Sequence, residues 1–372
     1  MEIEPMLPFD ADTVIGESIS VPHAEPFVRL ICGDVIDTLR TLDAGSVHCM
    51  ATSPPYFNLR HYDLAPRQWD DGTVHCLGLE PSVELYVAHL VEVFHEVRRV
   101  LRDDGNFWLN IADSYAASGK HLEPTIYKSG DYHKPARRKP KGMCGKNLLL
   151  VPEQLIVALR TDGWIVRQVN IWHKPNAMCS SAKDRTTSAF EYVYHLVKSD
   201  RYYFDADAIA EPLAQSSMKR YQHVLTHHEQ YDPAKHKHGA EGNPSPMEVL
   251  TRGAARIVAK GTKNRRNVWT IPTHPFRGAH FAAWPERLCE ILIKAGCPES
   301  GIVCDPFSGS GRTGIVAKRL GRSFIGIDAN PNYIAMADRA IRGIPTEGAV
   351  ADKQAKTGNP TYAGFNTRGK ER

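Results

Sequence analysis

Two short strings in this chain carry side chains whose types and spacing could do chemistry. Ser53-Pro54-Pro55-Tyr56 lies near the front, and Asp305-Pro306-Phe307-Ser308-Gly309-Ser310-Gly311 lies some two hundred and fifty residues later. In the first, two consecutive prolines remove two backbone donors and fix the chain in an extended turn. Such rigidity suits a group that must be aimed. An amino group on an aromatic ring is a poor nucleophile because its lone pair is delocalised into the ring. Two acceptors directed at its hydrogens, the Ser53 hydroxyl and the Pro54 carbonyl, would favour a pyramidal nitrogen with its lone pair turned toward an electrophile, while Tyr56 stacks on the ring. That is positioning and electrostatics rather than covalent catalysis, and no activated nucleophile stands beside the string. Alone, the string also reads as a plain proline turn.

The second string follows an apolar run and opens a helical one. Gly309 and Gly311 permit close backbone approach where a side chain would collide with a ligand. A lone Gly-x-Gly is a weak signal. Here, however, a further apolar run ends at Asp328, 23 residues after Asp305, where doubly wound nucleotide-binding folds set an acid against a ribose. With Gly314 read as outside the register of a dinucleotide fingerprint, a single-nucleoside cofactor is the expectation.

These groups need a scaffold, and the periodicity supplies one. Strands are expected over 28–32, 47–51, 106–111, 164–172, 190–197, 302–305 and 323–328. Helices are expected over 35–42, 81–101, 152–161, 284–295, 312–320 and 332–341. Alternating strands and helices imply an α/β fold built on a doubly wound, mostly parallel sheet. Ser53 then sits at the carboxyl end of a strand. The chain divides into an arm (1–25), a first half of the sheet domain carrying the proline string (26–116), a basic mobile loop (117–147), a continuation (148–214), an irregular insert or small subdomain (215–268), the glycine-loop half (269–345) and a disordered tail (346–372).

Composition is that of an ordinary globular protein, 372 residues with 42% hydrophobic and 24% charged. The first residues are acidic and no stretch approaches eighteen apolar residues, so neither secretion nor a membrane is expected and a cytoplasmic setting is. Eight cysteines are scattered without a CxxC pair, as for reduced thiols. His223, His227, His228, His236 and His238 cluster without a cysteine or a metal-site spacing, so no metal is expected. Net charge is only +4, yet 120–146 carries eight Lys/Arg against two acids and 251–266 carries six against none. That segregation is the footprint of a polyanion-binding surface, although two solvated loops would share the composition. The candidate phosphate and base contacts are Lys120, Arg137, Arg138, Lys139 and Lys141 in the first segment, and Arg252, Arg256, Lys260, Lys263, Arg265 and Arg266 in the second.

At this point the chain resembles the amino-methylating DNA methyltransferases of the β arrangement, in which catalytic motif, recognition region and cofactor motif run in that order. The likeness covers 30–62, 164–175, 191–207 and 267–341. It implies a Rossmann-like fold with an inserted DNA-recognition region (215–268) and S-adenosyl-L-methionine (AdoMet) as cofactor. AdoMet would be held by Asp305, Pro306, Phe307, Gly309, Ser310, Gly311 and Asp328, by Asp34 near the adenine, and by the His280-Phe281-Ala282-Ala283-Trp284-Pro285 segment at the methionine end. Ser53, Pro54, Pro55 and Tyr56 would form the catalytic turn. Arg312 and Trp284 stand where the family often has Thr and Phe, which touches only the pocket rim. Serine at the head of the tetrapeptide is associated in this family mainly with cytosine N4 and less often with adenine N6. The expectation is N4 of a flipped-out cytosine, with N6 of adenine left open; cytosine C5 chemistry would need a Pro-Cys dipeptide, which is absent. The resemblance implies DNA as partner in a bacterial, archaeal or phage setting, leaves room for a homodimer, and assigns any cognate restriction endonuclease to a separate chain. A scaffold that methylates a protein amide or free nucleotide, or a DNA-binding protein without catalysis, are the rival readings.

Overall fold

The computed structural model describes residues 25–59, 62, 64–117, 125–126, 133–134, 143–227, 246–273 and 284–344. Outside them lie 1–24 of the arm, the candidate contacts Lys120, Arg137, Arg138, Lys139 and Lys141, the histidines at 228, 236 and 238, the cofactor candidates His280 and Phe281, and the tail.

Eight strands make one sheet: β1 (Val28–Cys32), β2 (Val47–Thr52), β3 (Leu101–Ile111), β4 (Ile165–His173), β5 (Phe190–Val197), β6 (Val268–Thr270), β7 (Ile302–Asp305) and β8 (Ser323–Asp328). Their order is β1-β8-β7-β2-β3-β5-β4-β6. Every neighbouring pair is parallel except those made by β5, which runs against both β3 and β4. The sheet is therefore mostly parallel, as expected. At its centre β7 lies beside β2, with Val303 opposite Cys49. From these two strands the chain winds outward in opposite directions, which opens a crevice at their carboxyl ends, the place where doubly wound sheets bind ligands.

Both faces are covered. Helices α1 (Val35–Arg40), α2 (Val83–Val100) and α3 (Val151–Thr161) join Met50, Phe107 and Leu109 in one buried cluster. Helix α6 (Glu286–Gly296) and helix α7 (Arg312–Arg319) join Cys49, Ala51, Trp108 and Val303 in another. Alternate residues of β2 and β3 thus point to opposite faces, and both are apolar because both are buried. Helix α8 (Pro331–Arg342) starts at Asn330, whose side chain accepts from the Asn332 amide at 2.9 Å. Phe107 is fully buried with its ring 5.1 Å from both Phe94 and Trp164. Phe107→Ala is expected to cost about 3–5 kcal/mol of stability, read as a lower denaturation midpoint in urea at unchanged slope.

The insert takes the form of a small subdomain, one of its two expected forms. In place of an irregular segment, helices α4 (Gln215–His227) and α5 (Pro246–Lys260) pack on each other. Antiparallel pairing of Glu211–Pro212 with Thr262–Lys263 closes their base. The stripe that does this is short: Met218, Tyr221 and Leu225 on α4, and Ala254 and Ile257 on α5, are each at least half-buried and stand at helical spacing. Lysines, histidines and glutamines between them hide that stripe in the sequence. After the helix pair the chain re-enters the sheet as β6 on the edge of β4.

Candidate functional site

The carboxyl ends of β1, β2, β3, β4, β7 and β8 and the amino end of β5 meet at one edge of the sheet, around a cavity of about 940 Å³. Its lining includes Asp34, Ser53, Pro54, Pro55, Tyr56, Asp305, Pro306, Phe307, Gly309, Ser310 and Asp328, so both strings of the sequence face one space. Ligand clefts run from about 300 to 1,000 Å³, and this one is at the roomy end, enough for a nucleoside cofactor and a second ring.

The two halves are joined through one buried carboxylate. Asp305, at the end of β7, accepts 2.6 Å hydrogen bonds from the Thr52 hydroxyl at the end of β2 and from the Thr313 hydroxyl on α7. It also accepts from the Phe307 amide at 3.1 Å. Burial raises its pKa to about 6 in spite of these donors. A carboxyl whose pKa is higher in the folded than in the unfolded chain contributes stability that is complete below its ordinary value and is lost as the pH rises through about 6. In Asp305→Asn, denaturation between pH 4 and 7 is expected to lack that decline; an unaltered pH dependence would contradict the assignment.

The glycine loop fits a ligand held by backbone. Gly309 and Gly311 have φ of +49° and +72°, a region side chains rarely enter. Asp328 accepts from the Gly309 amide and the Asn330 amide, both at 2.9 Å, and so fixes the loop to the end of β8. One expectation fails here: Gly309, Gly311 and Gly314 do hold Gly-x-Gly-x-x-Gly spacing. A Cβ on Gly314 would meet Ile341 and Phe324 at 2.5 Å, so this third glycine serves helix-to-strand packing, the role it has in dinucleotide folds. Spacing alone therefore does not separate the two cofactor classes. Asp34 caps α1 through the Ile36 and Asp37 amides and pairs with Arg67 at 2.5 Å. Arg67 belongs to a short hairpin whose Trp69 stacks on buried His89, ring centroids 4.0 Å apart, and His89 bonds Glu80 at 3.0 Å. Asp34, Asp305 and Asp328 give the cavity an acidic wall suited to a cationic ligand such as a sulfonium.

The proline turn is clamped from outside. Tyr86 donates to the Pro55 carbonyl at 2.6 Å, and the Asn58 amide donates to the Gly78 carbonyl at 2.7 Å. Within the cavity the Ser53 hydroxyl donates to Tyr56 Oη at 3.2 Å, and Tyr56 Oη donates to Glu191 Oε2 at 2.8 Å with Asn110 Oδ1 3.2 Å away. Lys174 pairs with the other oxygen of Glu191 and lies over the Trp172 ring, 4.3 Å from its centroid. Burial, and then the Glu191 charge, push the Tyr56 phenol well above its ordinary pKa, so it stays protonated and a donor.

Glu191, Lys174, Asn110, Thr52 and Thr313 are the site residues that sequence reasoning missed. One signal existed: a glutamate near the head of the otherwise apolar run 190–197. Of the expected DNA contacts in 252–266, Lys260 pairs with Asp207, while Lys263, Arg265 and Arg266 lie 3.6, 3.8 and 3.4 Å from Glu211. Those four cations are shared with acids of the same chain. Arg252 and Arg256 stand one turn apart on the exposed side of α5. Arg312, on the cavity rim, is tied to Glu286 at 2.7 Å.

The family model described as DNA methylase, of the N6/N4 class, matches residues 47–339. Type II methyltransferase M.Cfr9I of Citrobacter freundii is 34% identical over 320 residues, which cover 84% of this chain and 87% of that one. The chain belongs to the N6/N4 DNA methylase family. A second relative, Type II methyltransferase M.SmaI of Serratia marcescens, is 34% identical over 317 residues, 84% of this chain and 90% of its own. Among solved structures, PvuII DNA methyltransferase (cytosine-N4-specific) superposes with a TM-score of 0.54 at 17% identity, covering 89% of this chain and 94% of the other; what is shared at that distance is the fold. Membership makes the methylase an AdoMet-dependent enzyme acting on DNA. No helix among the described residues is long and apolar enough to cross a membrane.

Proposed function

We propose that the methylase transfers the methyl group of AdoMet to the exocyclic N4 of a cytosine flipped out of a specific DNA sequence. The observation that carries this reading is the direction of the hydrogen bonds at Ser53. Its hydrogen is given to Tyr56 Oη, which passes its own to Glu191, so the lone pairs of Ser53 Oγ remain for the cavity. A neutral acceptor of this kind, with the Pro54 carbonyl beside it, takes the two hydrogens of an amine and turns the nitrogen lone pair outward. In this family a serine at that position goes mainly with cytosine N4.

Bound AdoMet supplies an electrophilic methyl group. Gly309, Gly311, Asp328 and Asp34 would hold it, and the Ser53 turn would present the amine within the same cavity. Tyr56 offers its ring to the base, while its hydroxyl, anchored by Glu191 and Lys174, keeps Ser53 aimed. Extruding the base costs a few kcal/mol, which phosphate contacts offset. Residues 215–268 are the candidate recognition segment: Arg252 and Arg256 on α5 would read base edges, and Lys120, Arg137, Arg138, Lys139 and Lys141 would hold phosphates.

Sequencing after enzymatic cytosine deamination tests the reading. DNA from cells expressing the chain is expected to show protected cytosines within one short repeated motif, and none in cells expressing the Tyr56→Ala variant. Full conversion of every cytosine in both would overturn it.

A further inference from the structure

Met178 lies in the loop between β4 and β5, lines the mouth of the cavity and is 92% exposed. The next most exposed large apolar side chain among the described residues, Val268, is 56% exposed. Single apolar groups at a surface are commonplace, so exposure alone says little. The loop, however, is held. The Asn176 amide brackets Thr273, donating to its carbonyl at 2.8 Å and accepting from its N–H at 2.9 Å. The Lys174 amide donates to the Ala189 carbonyl at 2.7 Å, and the Ser180 amide to the Thr187 hydroxyl at 3.2 Å. Met178 is thus presented to solvent by a fixed support.

Its neighbours say what it is presented to. Lys174, four residues before it, belongs to the Glu191–Tyr56 network. Leu59, three residues after Tyr56 and 37% exposed, lines the same cavity from the other string. Exposed Lys183 and Arg185 follow on the same loop, with the Arg185 guanidinium 3.9 Å from the Tyr115 ring centroid. An apolar finger at the entrance of a cavity with room for a base beside a nucleoside cofactor, with cations behind it, matches the chemistry of a DNA duplex that has lost a base from its stack. Proteins that open base steps do so with inserted apolar side chains, and methionine, unbranched and polarisable, adapts to base faces.

We propose that Met178 is the wedge of this enzyme: it enters the stack as the target nucleotide leaves and fills the gap, so that the flipped state is held open while the amine is methylated. The inference rests on the reading that the acceptor is a base within a duplex.

The experiment is single-turnover methylation by wild type, Met178→Ala and Met178→Leu on a synthetic duplex carrying the motif defined by deamination sequencing. Two versions are compared, one with the target paired and one with it opposite an abasic site, where little flipping cost remains. Met178→Ala is expected to lose about tenfold or more on the paired duplex and to come within about threefold of wild type on the abasic one. Met178→Leu should stay near wild type on both, and AdoMet affinity should be unchanged throughout. Equal losses on the two duplexes, or no loss on the paired one, would overturn the wedge. Wild-type silence on both duplexes would overturn the functional reading and the wedge together.

Discussion

Replacing Tyr56 by alanine is expected to lower the rate of methyl transfer about 10³-fold while leaving AdoMet affinity within about twofold of wild type. The size follows from two losses. Stacking of an aromatic side chain on a base is worth about 1–3 kcal/mol. The Tyr56 hydroxyl also receives the Ser53 hydrogen and gives its own to Glu191, a bond to a charged acceptor worth about 1.5–3 kcal/mol. Together these are about 2.5–6 kcal/mol, and the middle of that range, about 4 kcal/mol, is about 10³-fold in rate when spent on orienting the reacting amine. The cofactor side is spared because Tyr56 touches none of Gly309, Gly311 or Asp328 through these bonds. Single-turnover transfer and equilibrium titration with AdoMet separate the two. A variant that retains a tenth of wild-type rate would mean that Tyr56 neither stacks on nor aims anything essential.

The complementary result is expected at Asp328. Its carboxylate accepts from the Gly309 and Asn330 amides, so it shapes the glycine loop from within. Asp328→Ala leaves both amides without their partner and removes an acid from the cavity wall. AdoMet Kd is expected to rise about 10- to 100-fold, the equivalent of about 1.5–3 kcal/mol for a charge-assisted hydrogen bond. Asp328→Asn keeps one acceptor and should fall between. At saturating AdoMet much of the lost rate should return, which distinguishes this variant from Tyr56→Ala. An ordinary titration curve for Asp328→Ala would refute the assignment of this acid to the cofactor.

Much of the scaffold could be read from the residues because its strands are buried on both faces and its helices carry plain stripes. The strands over 28–32, 190–197, 302–305 and 323–328 have the predicted bounds. The pairing of the two strings in one cavity also follows from order and fold, since each ends a strand of one parallel sheet. What escaped had physical reasons. Strand direction is not written in hydrophobicity, so nothing in 190–197 said that β5 is antiparallel; only that reversal brings Glu191, at its amino end, to the edge where every other strand presents its carboxyl end. Asn110 and Thr52 are short polar side chains whose partners lie far off in sequence, and sequence spacing does not register such bonds; Thr313 bonds Asp305 only eight residues back, but across the turn from strand to helix. Helices α4 and α5 bury so narrow a stripe that their polar residues dominated the reading. The basic run 252–266 looked free because its acids, Asp207 and Glu211, lie some fifty residues earlier.

Nucleoside mass spectrometry decides whether the Ser53 turn serves the amine of cytosine. Mixed-sequence DNA is incubated with the purified chain and isotopically labelled AdoMet, with Tyr56→Ala as control, then digested to nucleosides. Labelled N4-methylcytosine is expected in the wild-type digest and none in the control. Label in N6-methyladenine alone, or in no nucleoside at all, would contradict it.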